Sequence, residues 1–133
     1  VIPPMHLILD GYEGNRDRLG DFFRIQDLLS RWPAMCGMNV IAGPHVTQYD
    51  GGERTEDWGI SGSVIIAESH IAIHTWPDQR LVWVDCFSCR DFDPAVLAES
   101  VVQEFLLQKA EILELARGLG QSGFRKKKRS WTS

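Results

Sequence analysis

The sequence predicts an α+β fold, a two-layer α/β sandwich in which two helices cover one face of an antiparallel sheet. Two segments of the 133-residue chain carry apolar residues at helical spacing, and the stretches between them are short runs rich in β-branched residues. The links between the middle runs are short enough for hairpins, which favours antiparallel pairing. The helices leave the other sheet face uncovered. In a chain this short a second copy is the expected cover, so we predict a homodimer that forms through the sheet.

The first half of the chain has the pattern strand, helix, strand. Residues 5–10 (MHLILD) form the first strand. A helix follows over about residues 16–32, with Asn15 as its N-cap, and Pro33 is expected to end it. Residues 38–49 are mostly apolar and β-branched, and they are predicted to form the second strand.

The second half begins with a long β-rich stretch over residues 59–77, which we interpret as one strand. Another strand covers residues 81–87. The second helix opens at Asp93 and Pro94, with the aspartate as cap and the proline at the first helical position. Residues 110–117 fit two interpretations, a continuation of that helix or a last strand.

Residues 1–117 make up the predicted domain, and residues 118–133 a polar, basic tail. The tail contains the run RKKKR at residues 125–129, and a terminal block of like charge is typically disordered. The whole chain has a net charge of −4, so nucleic acid is not an expected partner. No apolar run approaches the roughly 20 residues that cross a bilayer, which predicts no membrane contact. Three cysteines offer no disulfide framework, so we expect a cytoplasmic protein.

Reactive side chains cluster within the long β-rich stretch, where Glu68 and Ser69 come shortly before His74. A serine hydroxyl can attack the carbonyl of the preceding residue and turn that peptide into an ester. This reaction needs a strained or desolvated peptide, an oxyanion donor and a base, and Ser61 and His74 are available as donor and base. Elimination would then break the chain and leave a pyruvoyl group. From these residues alone, a hydrogen-bonded serine within a strand is the simpler interpretation.

Three segments together resemble the signature of the prokaryotic S-adenosylmethionine decarboxylase proenzymes. They are Gly59-Ile60-Ser61-Gly62, Glu68-Ser69-His70-Ile71-Ala72-Ile73-His74-Thr75-Trp76-Pro77 and Asp85-Cys86-Phe87-Ser88-Cys89, and the spacing between them also matches. The resemblance covers about residues 5–117. It implies a self-processing, pyruvoyl-dependent decarboxylase that supplies decarboxylated S-adenosylmethionine for spermidine and polyamine biosynthesis. It also implies a two-layer α/β unit that dimerises through its sheet.

The resemblance gives individual residues their expected roles. The chain would cleave itself between Glu68 and Ser69. Ser69 would become the pyruvoyl group, which forms a Schiff base with the amine of a small-molecule substrate. Ser61 and His74 would assist processing, with His74 as the base. Cys89 would donate the proton to the decarboxylated carbon.

The loop over residues 50–58 departs from the family pattern, because it is longer and acidic. Tyr49 or Trp58 could replace the aromatic ring that lies against the substrate in the family, and Glu68 is a further candidate contact. The acidic residues of the loop could instead receive a cationic side chain. Decarboxylation of L-arginine or L-ornithine by the same mechanism is therefore the alternative.

A non-enzymatic metal-binding module is the remote alternative. It would use His70, His74 and the pair formed by Cys86 and Cys89. Two residues four apart on one strand are separated by about 13 Å at roughly 3.3 Å per residue, too far to share one ion without a bend. We therefore expect no metal, and the pyruvoyl group derived from Ser69 as cofactor.

Overall fold

The computed structural model describes residues 4–117 and 125–132, which form a seven-stranded antiparallel sheet and three helices. The elements are β1 (Met5–Tyr12), α1 (Arg16–Leu19), α2 (Phe22–Met35), β2 (Asn39–Tyr49), a 3₁₀ turn (Thr55–Asp57), β3 (Gly59–Ala67), β4 (Ser69–Trp76), β5 (Leu81–Ser88), α3 (Pro94–Glu104), β6 (Lys109–Ala116) and β7 (Arg125–Thr132). Across the sheet the order is β2-β3-β4-β5-β1-β6-β7. The predicted α+β class is confirmed.

The helix predicted over residues 16–32 is two helices in the structure. Asn15 caps the first of them, α1, as predicted. The backbone N–H of Gly20 bonds back to Arg16 and closes α1 after a single turn. Asp21 then starts a new helix, since its side chain accepts a hydrogen bond from Arg24 N at 3.1 Å. A second capping residue directly after a glycine therefore divides the predicted helix.

Pro33 does not end the helix, contrary to the prediction, because α2 continues to Met35. The proline lies in the last turn, where only one backbone donor is lost. The chain still closes that turn with a bond from Cys36 N to Trp32 O at 3.1 Å. Pro33 itself is buried and contributes to packing.

The hydrophobic core lies between the helices and one face of the sheet. It is made by alternate residues of the strands and by the inner stripes of α2 and α3, as strand and helix periods require. Its largest fully buried members are Trp32, Phe105, Leu7, Leu9, Leu19, Ile25, Leu28, Leu29, Ile60, Ile66, Ile71 and Ile73. Two buried hydrogen bonds also join the elements around the core. Trp32 Nε1 of α2 donates to Ser100 Oγ of α3 at 2.9 Å, and Thr75 Oγ1 of β4 donates to Leu19 O of α1 at 2.8 Å.

The stretch predicted as one strand over residues 59–77 is a hairpin, and this is the main correction to the predicted topology. β3 ends at Ala67 and β4 begins at Ser69, with Ile66 and Ser69 paired across the turn. The alternation that predicts a strand does not reveal such a turn, because the apolar pattern continues on both sides of it. The result is that Glu68 and Ser69 lie at a tip rather than in the middle of a strand.

The far edge of the sheet also differs from the prediction. Residues 109–116 form the strand β6, which was one of the two interpretations. Within the segment predicted as a disordered tail, Arg125–Thr132 pairs with β6 as β7. Charge favours this pairing, since Arg129 Nη2 lies 3.0 Å from Glu114 Oε2. Residues 118–124 and 133 lie outside the described residues. None of the helices within residues 4–117 and 125–132 is long and apolar enough to cross a membrane.

The sheet face opposite the helices is here called the open face. It carries polar and aromatic side chains from the central strands, while the same strands turn Val, Ile and Leu towards the helices. Three large apolar side chains on it, Tyr49, Ile65 and Trp83, are 43–57% exposed. An exposed apolar patch of this kind is typical of an interaction surface. The predicted dimerisation through the sheet stays a prediction.

Candidate active site

Ser69 lies at the tip of the β3–β4 hairpin, where a two-residue link, Ala67-Glu68, joins the strands. Its backbone φ is +133°, in the range that normally requires glycine. Holding a serine in such a conformation costs on the order of 1–3 kcal/mol, and it persists only where the surroundings enforce it. The structure thus places backbone strain at the residue for which the sequence predicts chain cleavage.

The carbonyl group of Glu68 already has a hydrogen-bond donor. Cys89 N–H donates to Glu68 O at 3.2 Å. Ser69 pairs with Ser88, the last residue of β5, and this pairing brings the following residue, Cys89, beside the hairpin link. The Sγ of Cys89 also lies 3.8 Å from Ser69 Oγ. We call Glu68, Ser69 and Cys89 the cleavage half-site. It combines a hydroxyl, a carbonyl with a backbone donor, and a thiol.

Ser61 and His74 form the second group, here called the base half-site. They are partners in the β3–β4 register, and Ser61 Oγ and His74 Nδ1 share a hydrogen bond of 2.8 Å. Their side chains open into a surface cavity of about 420 Å³. Its lining is His45, Val46, Thr47, Ser61, Gly62, Ser63 and His74. A serine hydrogen bonded to an imidazole can transfer a proton to or from a group placed in that cavity.

The structure does not bring the two half-sites together within one chain. His74 is five residues beyond Ser69 on the same strand, which is about 17 Å at roughly 3.3 Å per residue. The turn at Glu68 does not shorten this distance, because both residues belong to β4. The predicted partnership of Ser69 with Ser61 and His74 is therefore not made inside a single protomer.

Comparison with known proteins supports the family resemblance indicated by the sequence segments around Ser61, Ser69 and Cys89. A family model described as S-adenosylmethionine decarboxylase matches residues 5–118. The chain belongs to the S-adenosylmethionine decarboxylase family. The predicted resemblance is thereby confirmed, and it extends over the whole sheet except β7.

Three relatives of this family show how far the similarity extends. The S-adenosylmethionine decarboxylase proenzyme of Clostridium botulinum strain Hall is 31% identical over 114 residues, which are 85% of this chain and 92% of the relative. The protein of the same name from Thermodesulfovibrio yellowstonii is 41% identical over 115 residues, or 86% of this chain and 80% of its own. That from Pyrococcus horikoshii is 39% identical over 115 residues, covering 86% and 78%.

The two cysteines near the end of β5 face different environments in this family member. Cys89 is exposed and belongs to the cleavage half-site. Cys86 is buried against the helices, and this burial raises the pKa of its thiol to about 12. Alternation along β5 separates them, so they do not act as a pair. The structure also keeps His70 and His74 in different hydrogen bonds, so the metal site predicted as a remote alternative is not assembled.

Three polar side chains that the sequence did not single out as a group meet on the open face. His6 Nε2 and His70 Nε2 each lie 2.8 Å from the same oxygen, Asp85 Oδ2. They come from the neighbouring strands β1, β4 and β5. The pairing of β4 with β5 places His70 and Asp85 on the same face of the sheet. Only the additional pairing of β5 with β1 brings His6 next to them. The three atoms lie within 4.8 Å of one another, a spacing that could also hold a divalent cation.

Of the candidate substrate contacts, Tyr49 lies on the open face near the base half-site, whereas the ring of Trp58 packs against Gly20 at the end of α1. Tyr49 pairs with Gly59 at the start of β3 and is 57% exposed. Trp58 directly precedes β3, and its Nε1 donates to Asp78 Oδ1 at 3.1 Å. That hydrogen bond, together with one from Arg16, holds the pKa of Asp78 below its usual range. Glu68, the third predicted contact, is at the opposite end of the hairpin.

In the acidic loop before β3, two of the four carboxylates share one arginine. Arg54 Nε lies 3.0 Å from Glu56 Oε1 and 3.3 Å from Asp57 Oδ2. Gln79 Nε2 donates a further hydrogen bond to Asp57 at 2.6 Å. A cationic substrate side chain would have to compete with these contacts.

Proposed function

We propose that this chain is a self-processing, pyruvoyl-dependent decarboxylase of S-adenosylmethionine that works as a homodimer and serves polyamine biosynthesis. The observation that carries the proposal is the hairpin tip, where a strained serine follows a carbonyl that already accepts a hydrogen bond from Cys89 N–H. The names of the relatives agree with this, since a proenzyme is a chain that must be processed before it acts.

Self-cleavage begins at the bond between Glu68 and Ser69. The hydroxyl oxygen of Ser69 attacks the carbonyl carbon of Glu68 and gives its proton to a base. Negative charge develops on Glu68 O, where the N–H of Cys89 at 3.2 Å stabilises it. The carbon–nitrogen bond then breaks, the released nitrogen takes up a proton, and the two residues are joined by an ester.

A second proton transfer breaks the chain. A base removes the Cα proton of Ser69, and Glu68 leaves as a carboxylate that keeps the former hydroxyl oxygen. Residue 69 becomes dehydroalanine, whose imine tautomer takes up water and loses ammonia to give the pyruvoyl group at the start of fragment 69–133. When in place, this group supplies an electrophilic carbonyl that withdraws electrons from a substrate amine as CO₂ leaves.

Cys89 is suited to the role of proton donor. Its Sγ lies 3.8 Å from Ser69 Oγ, so a carbonyl built on residue 69 would be next to the thiol. Its side chain is exposed, which allows a substrate to reach it. Cys86 cannot take this role, because it is buried on the helix side of the sheet.

The base for these steps comes from the second copy in this proposal. His74 is about 17 Å from Ser69 along β4, too far for a proton transfer within one chain. In the proposed dimer the open faces of the two protomers pack on each other, and the two-fold axis lies between them, perpendicular to the strands. Each strand then runs opposite in direction to the same strand of the partner. This arrangement places the hairpin tip of one protomer over the opposite end of the partner's hairpin. Ser61 and His74 of each chain would then serve Ser69 of the other.

The open face supports this arrangement. Its exposed apolar residues Tyr49, Ile65 and Trp83 would be covered by the second sheet. An isologous two-fold contact uses the same patch twice, so one face supplies both halves of two identical sites. Tyr49 would reach the partner's residue 69 together with the base half-site, where its ring can stack on an adenine or contact a sulfonium.

The exposed ring of Tyr49 near the base half-site favours S-adenosylmethionine over arginine or ornithine, because it suits a flat, cationic substrate. Glu56 and Asp57 already face Arg54, so they are poorly placed to receive another cation. Glu68 becomes the carboxyl end of fragment 1–68 after cleavage and stays near the site.

Intact-mass spectrometry tests the cleavage. The purified wild-type chain is expected to give fragments 1–68 and 69–133, the second with a mass that corresponds to a pyruvoyl terminus. Ser69→Ala is expected to stay whole and to release no CO₂. A whole wild-type chain that decarboxylates at full rate would contradict the proposal.

Side-by-side assays test the substrate. Release of CO₂ is measured from S-adenosylmethionine, L-arginine and L-ornithine with the same processed protein, and only the first is expected to react. Activity on arginine or ornithine alone would keep the mechanism and change the substrate.

A further inference from the structure

The cluster of His6, His70 and Asp85 lies next to the cleavage half-site but takes no part in the steps described above. We propose that Asp85 is a positioning residue: through His70 it fixes the chain end on which the pyruvoyl group is formed. This inference rests on the proposed function, because it concerns the state of the chain after cleavage. It assigns to three open-face side chains a task that is separate from self-cleavage.

The hydrogen bonds define the roles of the two imidazoles. A carboxylate oxygen can only accept, so His6 and His70 must each carry hydrogen on Nε2 to bond Asp85 Oδ2 at 2.8 Å. The phenyl ring of Phe87 packs against both imidazoles, with centroids 5.6 Å from His6 and 6.1 Å from His70. Each ring is therefore held at its edge by the carboxylate and on its side by Phe87.

The strand register makes the cluster rigid. Phe87 is paired with His6 on β1 and with His70 on β4. Asp85 lies two residues before Phe87 on β5, on the same face, so it is the diagonal neighbour of both histidines. The three side chains are only 21–37% exposed, which limits competition from water. The pairing of three strands fixes the backbone positions from which the three side chains meet.

Cleavage of the chain makes the hydrogen bond between His70 and Asp85 more important. Before cleavage, residue 69 is tethered on its N-terminal side through Glu68, whose carbonyl is bonded to Cys89 N. Afterwards Glu68 belongs to the other fragment, and residue 69 is a free chain end. The next residue, His70, is then the first one whose side chain is anchored. Its link to Asp85 keeps the terminal carbonyl beside Cys89 Sγ, where the proton must be delivered.

His6 completes the arrangement from the other fragment. It belongs to residues 1–68, while His70 and Asp85 belong to residues 69–133. Asp85 therefore accepts one hydrogen bond from each fragment, and the bond from His6 holds the carboxylate in the orientation that His70 needs. Orientation of a reacting group affects turnover rather than substrate affinity, and a displacement of about 1 Å can reduce the rate a hundredfold.

The test uses Asp85→Asn in the full chain. The amide keeps the size of the side chain, but its single oxygen is uncharged and its NH₂ group cannot accept, so it binds the two Nε2–H groups less strongly than the carboxylate does. Chain cleavage is expected to go to completion. The processed protein should then show a kcat about ten- to a hundredfold below wild type, with KM and the unfolding midpoint nearly unchanged. Asp85→Glu, which restores the carboxylate, should recover part of the lost kcat.

Asp10→Asn is the matched control, since Asp10 is a carboxylate on the same face of the adjacent strand β1, outside the cluster and both half-sites. It should leave kcat unchanged. Nitrogen-15 NMR gives a readout independent of activity: His6 and His70 should both be Nε2–H tautomers or doubly protonated in the wild-type protein. In Asp85→Asn at least one should lose that hydrogen bond and change its shift.

Several results would overturn the inference. One is a wild-type kcat in Asp85→Asn, and another is a fall in kcat matched by an equal fall in Asp10→Asn. Loss of wild-type turnover with EDTA, restored by Zn²⁺, would also do so, because the three side chains would then be metal ligands. Failure of the wild-type chain to cleave would instead contradict the proposed function, and the tautomer measurement would still test the link.

Discussion

The two half-sites sit at opposite ends of one hairpin and are complementary in what they contain. The cleavage half-site has a strained serine, a backbone donor on the neighbouring carbonyl, and a thiol. The base half-site has a serine–histidine pair, and the aromatic ring of Tyr49 lies near it on the open face. Since the rise of a strand is fixed, no local movement can fold one onto the other. The difference indicates that closeness in sequence does not mean closeness in the site, since Ser69 and His74 are only five positions apart in the chain.

The largest expected effect comes from mixing chains that each lack one half-site. Ser69→Ala and His74→Ala chains alone should stay uncut. When they are co-expressed with different tags, heterodimers should pair the intact Ser69 of one chain with the intact His74 of the other. Mass spectrometry should then find cleavage of the His74→Ala chain alone.

A double variant provides the control for this mixture. Chains with both Ser69→Ala and His74→Ala, mixed with His74→Ala chains, should give no cut. If His74→Ala chains stay whole in every mixture, then the shared site is wrong and the base must come from the same chain.

Cys89→Ser separates cleavage from decarboxylation at one half-site. The backbone N–H on Glu68 O is retained, so fragments should still form. Decarboxylation should slow by about 10²–10⁴-fold, because a serine hydroxyl is a much weaker acid than a thiol. Both steps are followed on the same sample, by mass and by CO₂ release. Equal slowing of the two steps would mean that Cys89 acts on cleavage instead.

The pH dependence of thiol reactivity distinguishes Cys89 from Cys86. Iodoacetamide at pH 8 is expected to modify the exposed Cys89 and to leave Cys86 unmodified, as peptide mapping would show. Burial raises the pKa of the Cys86 thiol to about 12, so the folded protein disfavours its thiolate. The stability that Cys86 contributes is complete below the unfolded-state pKa of about 8.5 and is lost as the pH rises towards 12. Modification of Cys86 in the folded protein at pH 8 would show that β5 opens to solvent.

The smallest expected effect is at Trp58, which directly precedes β3. Asp78→Asn removes the charged acceptor of Trp58 Nε1 and loosens the chain where β3 begins, so KM should rise a few-fold while kcat and cleavage stay unchanged. The hydrogen bonds from Trp58 and Arg16 lower the pKa of Asp78, so the contribution of this carboxylate is present above its ordinary pKa and is lost only in stronger acid. Asp17→Asn, at an exposed carboxylate of α1, is the control. A fall in kcat without a change in KM would contradict this effect of Trp58 on substrate binding.

The class of the fold could be predicted from local patterns. The spacing of apolar residues and the runs of β-branched residues identify helices and strands, because each element buries one side. Ile71 and Ile73 are buried residues of β4, for example, and Leu28 and Leu29 are buried residues of α2. The breaks between elements were harder to predict. The turn at Glu68 carries no glycine, proline or asparagine to mark it, and Asp21 could equally have continued a helix. β7 was missed because Arg125–Arg129 has no apolar pattern, and its pairing depends on the acidic Glu114 of β6.

The sequence by itself determined the chemistry available to this protein: a Glu-Ser bond, a serine before it, a histidine after it and a cysteine after the next strand, in a spacing that identifies the family. Residue type sets what a hydroxyl, an imidazole or a thiol can do, and that information is local. Only the tertiary structure decided which of these groups meet. Cys89 reaches Glu68 and Asp85 joins His6 to His70 because strands distant in sequence pair in a fixed register. The same rigid register keeps His74 away from Ser69.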